Sequence, residues 1–166
     1  RAGGQRPAAD LGHLAHVEHQ RIGNAAGRAQ PQFALAGPGV GGEHRLAFLD
    51  DDGQVTLVDC GLKRAPATIV AGLAGIGRRP ADVSRIILTH AHADHIMGMD
   101  DCRRVCDLRG SALPIYASAA TFHSLRRVYE YAFDGRPIPK SYFHPEPHEI
   151  TGPFSIGDLQ VEAFPL

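Results

Sequence analysis

The sequence predicts a mixed α/β domain, and three observations carry that expectation. Two short apolar runs, Arg45-Leu46-Ala47-Phe48-Leu49 and Val55-Thr56-Leu57-Val58-Asp59, flank Asp50-Asp51-Asp52-Gly53, whose Asp-Gly pair suits the positive φ angles of a hairpin loop. Helical stripes then alternate with short strand-like runs further along the chain. Finally, the cluster Thr89-His90-Ala91-His92-Ala93-Asp94-His95 follows directly on the apolar run Arg85-Ile86-Ile87-Leu88. Functional sites on α/β sheets gather at such strand ends, because loops converge there while the sheet holds them rigid.

Taken in order, residues 1–42 are dominated by Gly, Ala, Gln, Arg and Pro. Their apolar pieces, such as Phe33-Ala34-Leu35-Ala36, show no sustained period, so little packed structure is expected before the domain at 43–166. His13, His16 and His19 fall at i, i+3 and i+6, a spacing that suits a solvated helix or a disordered segment better than a metal site. Arg1, Arg6, Arg21 and Arg28 lack interleaved aromatics and make a weak nucleic-acid signal. The aspartates before Gly53 lack the twelve-residue ligand spacing of a calcium loop and read as a hairpin tip.

Pro66 opens a helix whose Ile69, Val70, Leu73 and Ala74 make a 3.6-period stripe, and Gly75 or Gly77 with Pro80 closes it. Ile86-Ile87-Leu88 reads as a buried strand. Beyond the histidines, Ile96, Met97, Met99 and Val105 predict a short helix with Asp100, Asp101, Arg103 and Arg104 on a solvated face. Cys102 and Cys106 share a face of it, without the spacing or the second pair of a zinc ribbon, so packing is expected. Leu113-Pro114-Ile115-Tyr116-Ala117 reads as a strand, and Ser118 as the N-cap of a helix carrying Phe122, Leu125, Tyr129, Ala132 and Phe133, with His123 exposed. Residues 134–148 read as a long proline-stiffened loop, either a lid that brings His144 and His148 to a substrate or a plain surface connection. Residues 154–164 read as a hairpin with its turn at Gly157-Asp158.

Composition narrows the function classes. Lys and Arg (17) nearly balance Asp and Glu (18), leaving a net charge of -1 that offers no strong nucleic-acid field. With 166 residues, 43% of them hydrophobic, the chain can bury a core. No apolar run approaches the roughly 18 to 20 residues of a membrane helix, and no signal peptide is recognisable, so a cytoplasmic protein without a membrane partner is expected. Three cysteines, Cys60, Cys102 and Cys106, suit reduced thiols better than a disulfide framework.

The cluster itself points to metal. Neutral imidazole is the commonest transition-metal ligand, and several imidazoles with one carboxylate are costly to bury without an ion. His90 and His92 can reach one ion from an irregular turn, while Asp94 and His95 are offset toward a second ion or a water. Four ligands cannot fill two sites, so others must come from elsewhere. A metal pair would acidify a shared water and polarise a phosphoryl or carbonyl oxygen, which makes hydrolysis the natural reaction. Asp59, a carboxylate at an apolar strand end, needs a partner if buried.

These residues resemble the metallo-β-lactamase fold superfamily, whose signature His-x-His-x-Asp-His after a strand is matched by His90, His92, Asp94 and His95. Leu57-Val58-Asp59-Cys60-Gly61 is similar to the superfamily's Val-Asp-Thr-Gly element, with Cys60 replacing Thr. The resemblance implies an αββα sandwich and two divalent ions, zinc ahead of manganese. One would be held by His90 and His92, the other by Asp94 and His95, with Asp59 supporting the shell. Residues 95–104, 113–117 and 154–165 resemble the bacterial branch related to cyclic-phosphate phosphodiesterases and tRNA 3'-processing nucleases, whereas 46–79 is equally similar to hydroxyacylglutathione hydrolases. The implied activity is hydrolysis of a small-molecule or nucleotide phosphodiester by metal-bound hydroxide, with Asp94 orienting it or relaying a proton, and with homodimer formation compatible. The alternatives are a hydroxyacylglutathione hydrolase-like thioesterase, or a non-catalytic fragment or metal-binding module without turnover. The superfamily's third histidine, bridging aspartate and final histidine are expected beyond Leu166, so the chain reads as the N-terminal part of the sandwich.

Overall fold

A computed structural model of the chain describes residues 32–35, 47–51, 53–62, 66–156 and 159–162. The N-terminal histidines and arginines singled out above, Arg45-Leu46, and the Gly157-Asp158 turn lie outside the described residues. Six strands form one sheet in the order β1 (Gln32–Leu35), β2 (Ala47–Asp51), β3 (Gln54–Val58), β4 (Val83–Ile87), β5 (Leu113–Ala117) and β6 (Pro145–Glu149). The first three run antiparallel and β3 to β6 run parallel. Helices α1 (Pro66–Gly75), α2 (Ala93–Ile96), α3 (Arg103–Arg109), α4 (Ala119–Val128) and α5 (Glu130–Phe133) fill the connections, as parallel neighbours require. β7 (Phe154–Ile156) and β8 (Leu159–Val161) form a separate two-stranded antiparallel sheet.

Side chains alternate across each strand, so Val55 and Leu57, Ile86 and Leu88, and Leu113, Ile115 and Ala117 all face one side of the large sheet. There they meet Ile69 and Leu73 of α1, Val105 and Cys106 of α3, and Phe122 and Leu125 of α4 in one buried cluster. The opposite side carries Tyr116, whose ring stacks on Phe154 of the small sheet at 5.4 Å between centroids. The expected α/β layering is therefore present as helices, large sheet and a small second sheet. Among the described residues, no helix is long and apolar enough to cross a membrane.

Several local expectations are corrected. Gln32–Leu35, within the stretch expected to hold little packed structure, pairs with β2 as an edge strand. Asp50 and Asp51 belong to β2 rather than to the turn: Asp51 pairs with Gln54, and Gly53 takes φ +88°. Among the described residues of α1, Ile69 and Leu73 are buried while Val70 is exposed, so one i, i+4 row makes the contact. The single helix expected after the histidines is broken into α2, a 3₁₀ turn at Asp100–Cys102, and α3, which Gly110 ends at φ +66°. Ile96, Met99 and Val105 are still buried, but Met97 is exposed. Asp100 is not merely solvated, because the Tyr131 hydroxyl donates to it.

Ser118 caps α4 as expected, accepting from the Thr121 amide at 3.2 Å, and His123 is exposed. The helical stripe is interrupted at Tyr129, whose φ of −122° and ψ of 47° separate α4 from α5. All three cysteines are buried free thiols.

The largest departure is at 134–148, whose last residues form β6 instead of continuing a loop. Leu113 donates to the His144 carbonyl at 2.8 Å and Ile150 to the Ala117 carbonyl at 2.9 Å. Even-numbered residues of β6 therefore face β5, and Pro145 and Pro147 turn their missing donors outward at the sheet edge. Two prolines at a spacing of two are compatible with an edge strand for that reason.

Candidate metal centre

The site is assembled from the carboxyl ends of two adjacent parallel strands. β3 leads into Asp59-Cys60-Gly61 and β4 into the segment from Leu88 to His95. Asp59 has φ +61°, a left-handed conformation uncommon for a residue other than glycine and better tolerated by Asp than by most. In this conformation its amide donates to Ile87 at 2.8 Å, and the next amide, of Cys60, donates to the His95 carbonyl at 2.7 Å. Gly98 then donates to the Gly61 carbonyl at 2.8 Å. The two strand ends are thus laced together by backbone. At Gly98 a Cβ would lie 2.1 Å from the Cys60 carbonyl oxygen, so a side chain has no room.

Asp59 is 2% exposed and its carboxylate is satisfied on both oxygens. Oδ1 accepts from the Thr89 amide at 2.9 Å, and Oδ2 accepts from the Thr89 hydroxyl at 2.8 Å and from His95 Nδ1 at 2.7 Å. That bond places the His95 proton on Nδ1 and a lone pair on Nε2, which faces Asp94 Oδ2 at 3.4 Å. A carboxylate behind a histidine in this way is the usual support for a metal-ligating imidazole.

His90 Nε2 and His92 Nδ1 converge to 3.1 Å, with their rings nearly perpendicular. Two nitrogens each 2.0–2.1 Å from one tetrahedral zinc are about 3.3 Å apart, so the pair fits a shared ion. The His90 and His95 ring centroids are 3.8 Å apart. Burial, then the neighbouring His95 and His92 imidazoles, push the His90 pKa down and favour the neutral, ligating form. His92 and Asp94 face solvent, with the Asp94 side chain 51% exposed. The donors therefore form two pairs. Among the described residues, no group of three or more His, Cys, Asp or Glu is placed to hold one ion.

Cys60, at the Thr position of the resembled element, is fully buried. A hydrogen bond with Cys102, reinforced by burial, holds its thiol well above the ordinary range and favours the protonated form. Tyr129 is a support the sequence reading assigned only to packing: its hydroxyl donates to the Ile96 carbonyl at 2.8 Å, fixing the end of α2. Tyr129→Phe is expected to cost about 1 to 2 kcal/mol in urea denaturation. An unchanged midpoint would show that this bond does not hold α2.

His144 and His148 make their contacts elsewhere. His144 Nε2 bonds the Pro139 carbonyl at 3.0 Å, and His148 stacks on Tyr116 at 4.8 Å and pairs with Glu146 at 3.0 Å. His148 therefore lies in strand β6, not in a lid loop.

The sequence has a family counterpart. The model of the beta-lactamase superfamily domain matches residues 55–166, from β3 through the motif to the end of the chain. The chain belongs to this superfamily. Among curated relatives, it is 30% identical over 119 residues to an octanoyltransferase of Porphyromonas gingivalis, covering 70% of this chain and 22% of that protein. It is 27% identical to exodeoxyribonuclease YycJ of Bacillus anthracis (75% and 41% covered). It is 34% identical to ribonuclease Z of a Bradyrhizobium strain (71% and 40% covered). The chain thus spans between about a fifth and two fifths of the lengths of these relatives. Among solved structures, a diphosphatase of the PhnP family superimposes with a TM-score of 0.51 at 25% identity, covering 68% of this chain and 39% of that one. Superfamily membership and the metallo-β-lactamase fold are the expectations that these matches bear out.

Proposed function

We propose that this chain carries metal ligands of a dinuclear metal-dependent phosphodiesterase. The observation that carries the reading is the pairing of donors at the end of β4: His90 Nε2 with His92 Nδ1, and His95 Nε2 with Asp94 Oδ2. The two nucleases and the diphosphatase among the similar proteins favour phosphate chemistry over the other hydrolyses the superfamily supports.

In this reading His90 and His92 hold one divalent ion, and Asp94 and His95 the other, zinc being the better match to imidazole donors. Such ions, when bound, supply Lewis acidity toward a phosphoryl oxygen and lower the pKa of water. The chain's own residues do the positioning. Asp59 fixes His95 from behind, and Thr89 fixes Asp59 through both its amide and its hydroxyl. Asp94, half in solvent, is placed to orient the attacking water or to pass a proton to the leaving oxygen.

The octanoyltransferase likeness gives a specific reason to keep an acyl-transfer reading second, as thioester hydrolysis. Turnover of bis-p-nitrophenyl phosphate against S-lactoylglutathione by the zinc-loaded protein separates the two. Phosphodiester cleavage is the expected result. Thioester cleavage alone would overturn it, and cleavage of neither substrate with weak zinc retention would assign a metal-binding module without turnover.

A further inference from the structure

We infer that Thr89 is a positioning residue that sets the tautomer of His90, carrying the orienting effect of Asp59 to a second imidazole. Three contacts of one oxygen support this. Thr89 Oγ1 lies 2.8 Å from Asp59 Oδ2, 2.9 Å from His90 Nδ1 and 3.3 Å from His95 Nδ1. A hydroxyl has a single proton to donate and two lone pairs to accept with, whereas a carboxylate only accepts. If Thr89 gave its proton to His90 Nδ1, its lone pairs would face those of Asp59 Oδ2 at 2.8 Å with no proton between them. The proton therefore goes to Asp59. Thr89 must then accept from His90, which places the His90 proton on Nδ1 and its lone pair on Nε2, toward His92.

His95 reaches the same tautomer by a direct bond to Asp59 at 2.7 Å. One buried carboxylate thus orders two imidazoles, one by contact and one through a hydroxyl. The backbone makes the relay rigid, because the Thr89 amide holds the other Asp59 oxygen at 2.9 Å. Valine in place of Thr89 would keep the β-branched shape and delete only the relay. Serine would keep the relay and delete a methyl group.

The test uses the metal-free protein at about pH 8, above the ordinary histidine range near 6.5, and reads imidazole 15N shifts by long-range proton–nitrogen correlation. The parent is expected to show both His90 and His95 protonated at Nδ1. In Thr89→Val, His90 should move to the Nε2–H form or a mixture while His95 stays at Nδ1–H, and Thr89→Ser should restore His90. A parent His90 protonated at Nε2 would overturn the inference without any variant, as would a His90 tautomer unchanged in Thr89→Val.

A zinc titration of the same proteins then depends on the proposed function, through the ligand role of His90. Thr89→Val is expected to bind about 10-fold to 100-fold more weakly, the range for lost outer-shell partners, with Thr89→Ser close to the parent. A changed tautomer with unchanged zinc affinity would support the relay and count against His90 as a ligand, so the two failures are distinguishable.

Discussion

Gly98→Ala is expected to destabilise the protein by about 3 kcal/mol or more and to dismantle the site from its backbone. The added Cβ would sit 2.1 Å from the Cys60 carbonyl oxygen and 3.0 Å from both the Cys60 carbonyl carbon and the Leu62 carbonyl oxygen. All three are backbone atoms, so no side chain can swing aside. Overpacking costs typically about 1 to 3 kcal/mol and more where nothing yields. For a domain of this size, each kcal/mol lowers Tm by about 2 to 4 °C, so a fall of about 6 to 12 °C should be seen by circular dichroism. The collision would also part Cys60 from His95 and Gly98 from Gly61, moving His95 away from Asp59. Gly75→Ala is the control. At the end of α1 nothing lies within 4 Å of its added Cβ, and helix propensity favours alanine by up to about 1 kcal/mol. Equal stability of the two variants would mean that the lacing of the two strand ends is looser than described.

His92→Ala is expected to do the reverse: to leave the fold intact and remove metal. The ring is exposed and its contact is with His90, so stability should change by no more than about 0.5 kcal/mol. An ion shared by His90 and His92 would lose one of its two ligands from this segment. Metal content after dialysis, by elemental analysis, should fall from stoichiometric to less than half at that site. Full retention by a folded His92→Ala protein would refute the assignment of His92 as a ligand.

Much of this was legible in the sequence because short-range signals survive into the fold. The glycine turn at Gly53, Ser118 as N-cap, the apolar alternation of Leu113 to Ala117 and the motif after Ile87 each depend on a few neighbouring residues. Asp59 was recognisable as a carboxylate needing a partner, and its partners proved to be Thr89 and His95, 30 and 36 residues away. What the sequence could not display was the consequence of distant pairing. Pro145 and Pro147 signal a loop until β5 offers an edge, and Gln32–Leu35 signals nothing until β2 lies beside it. Thr89 carries no assignable role in the sequence because the role of a hydroxyl depends on which acceptor reaches it. Tyr129 looked like a core position because its stripe is helical, while the broken helix turns its hydroxyl to Ile96.

The bonding behind the four donors is uneven, and this bears on the entropy of ion capture. His95 is held on one nitrogen by Asp59 and on its carbonyl by Cys60, so little freedom remains for it to lose. His92 and Asp94 stand largely in water, and ordering such side chains costs on the order of 0.5 to 1.5 kcal/mol each. Each proposed ion would therefore meet one immobilised ligand, His90 or His95, and one that must be recruited from solvent. Such a shell can adjust its outer wall to ions of different radius or coordination number while its inner wall keeps a fixed address on the sheet.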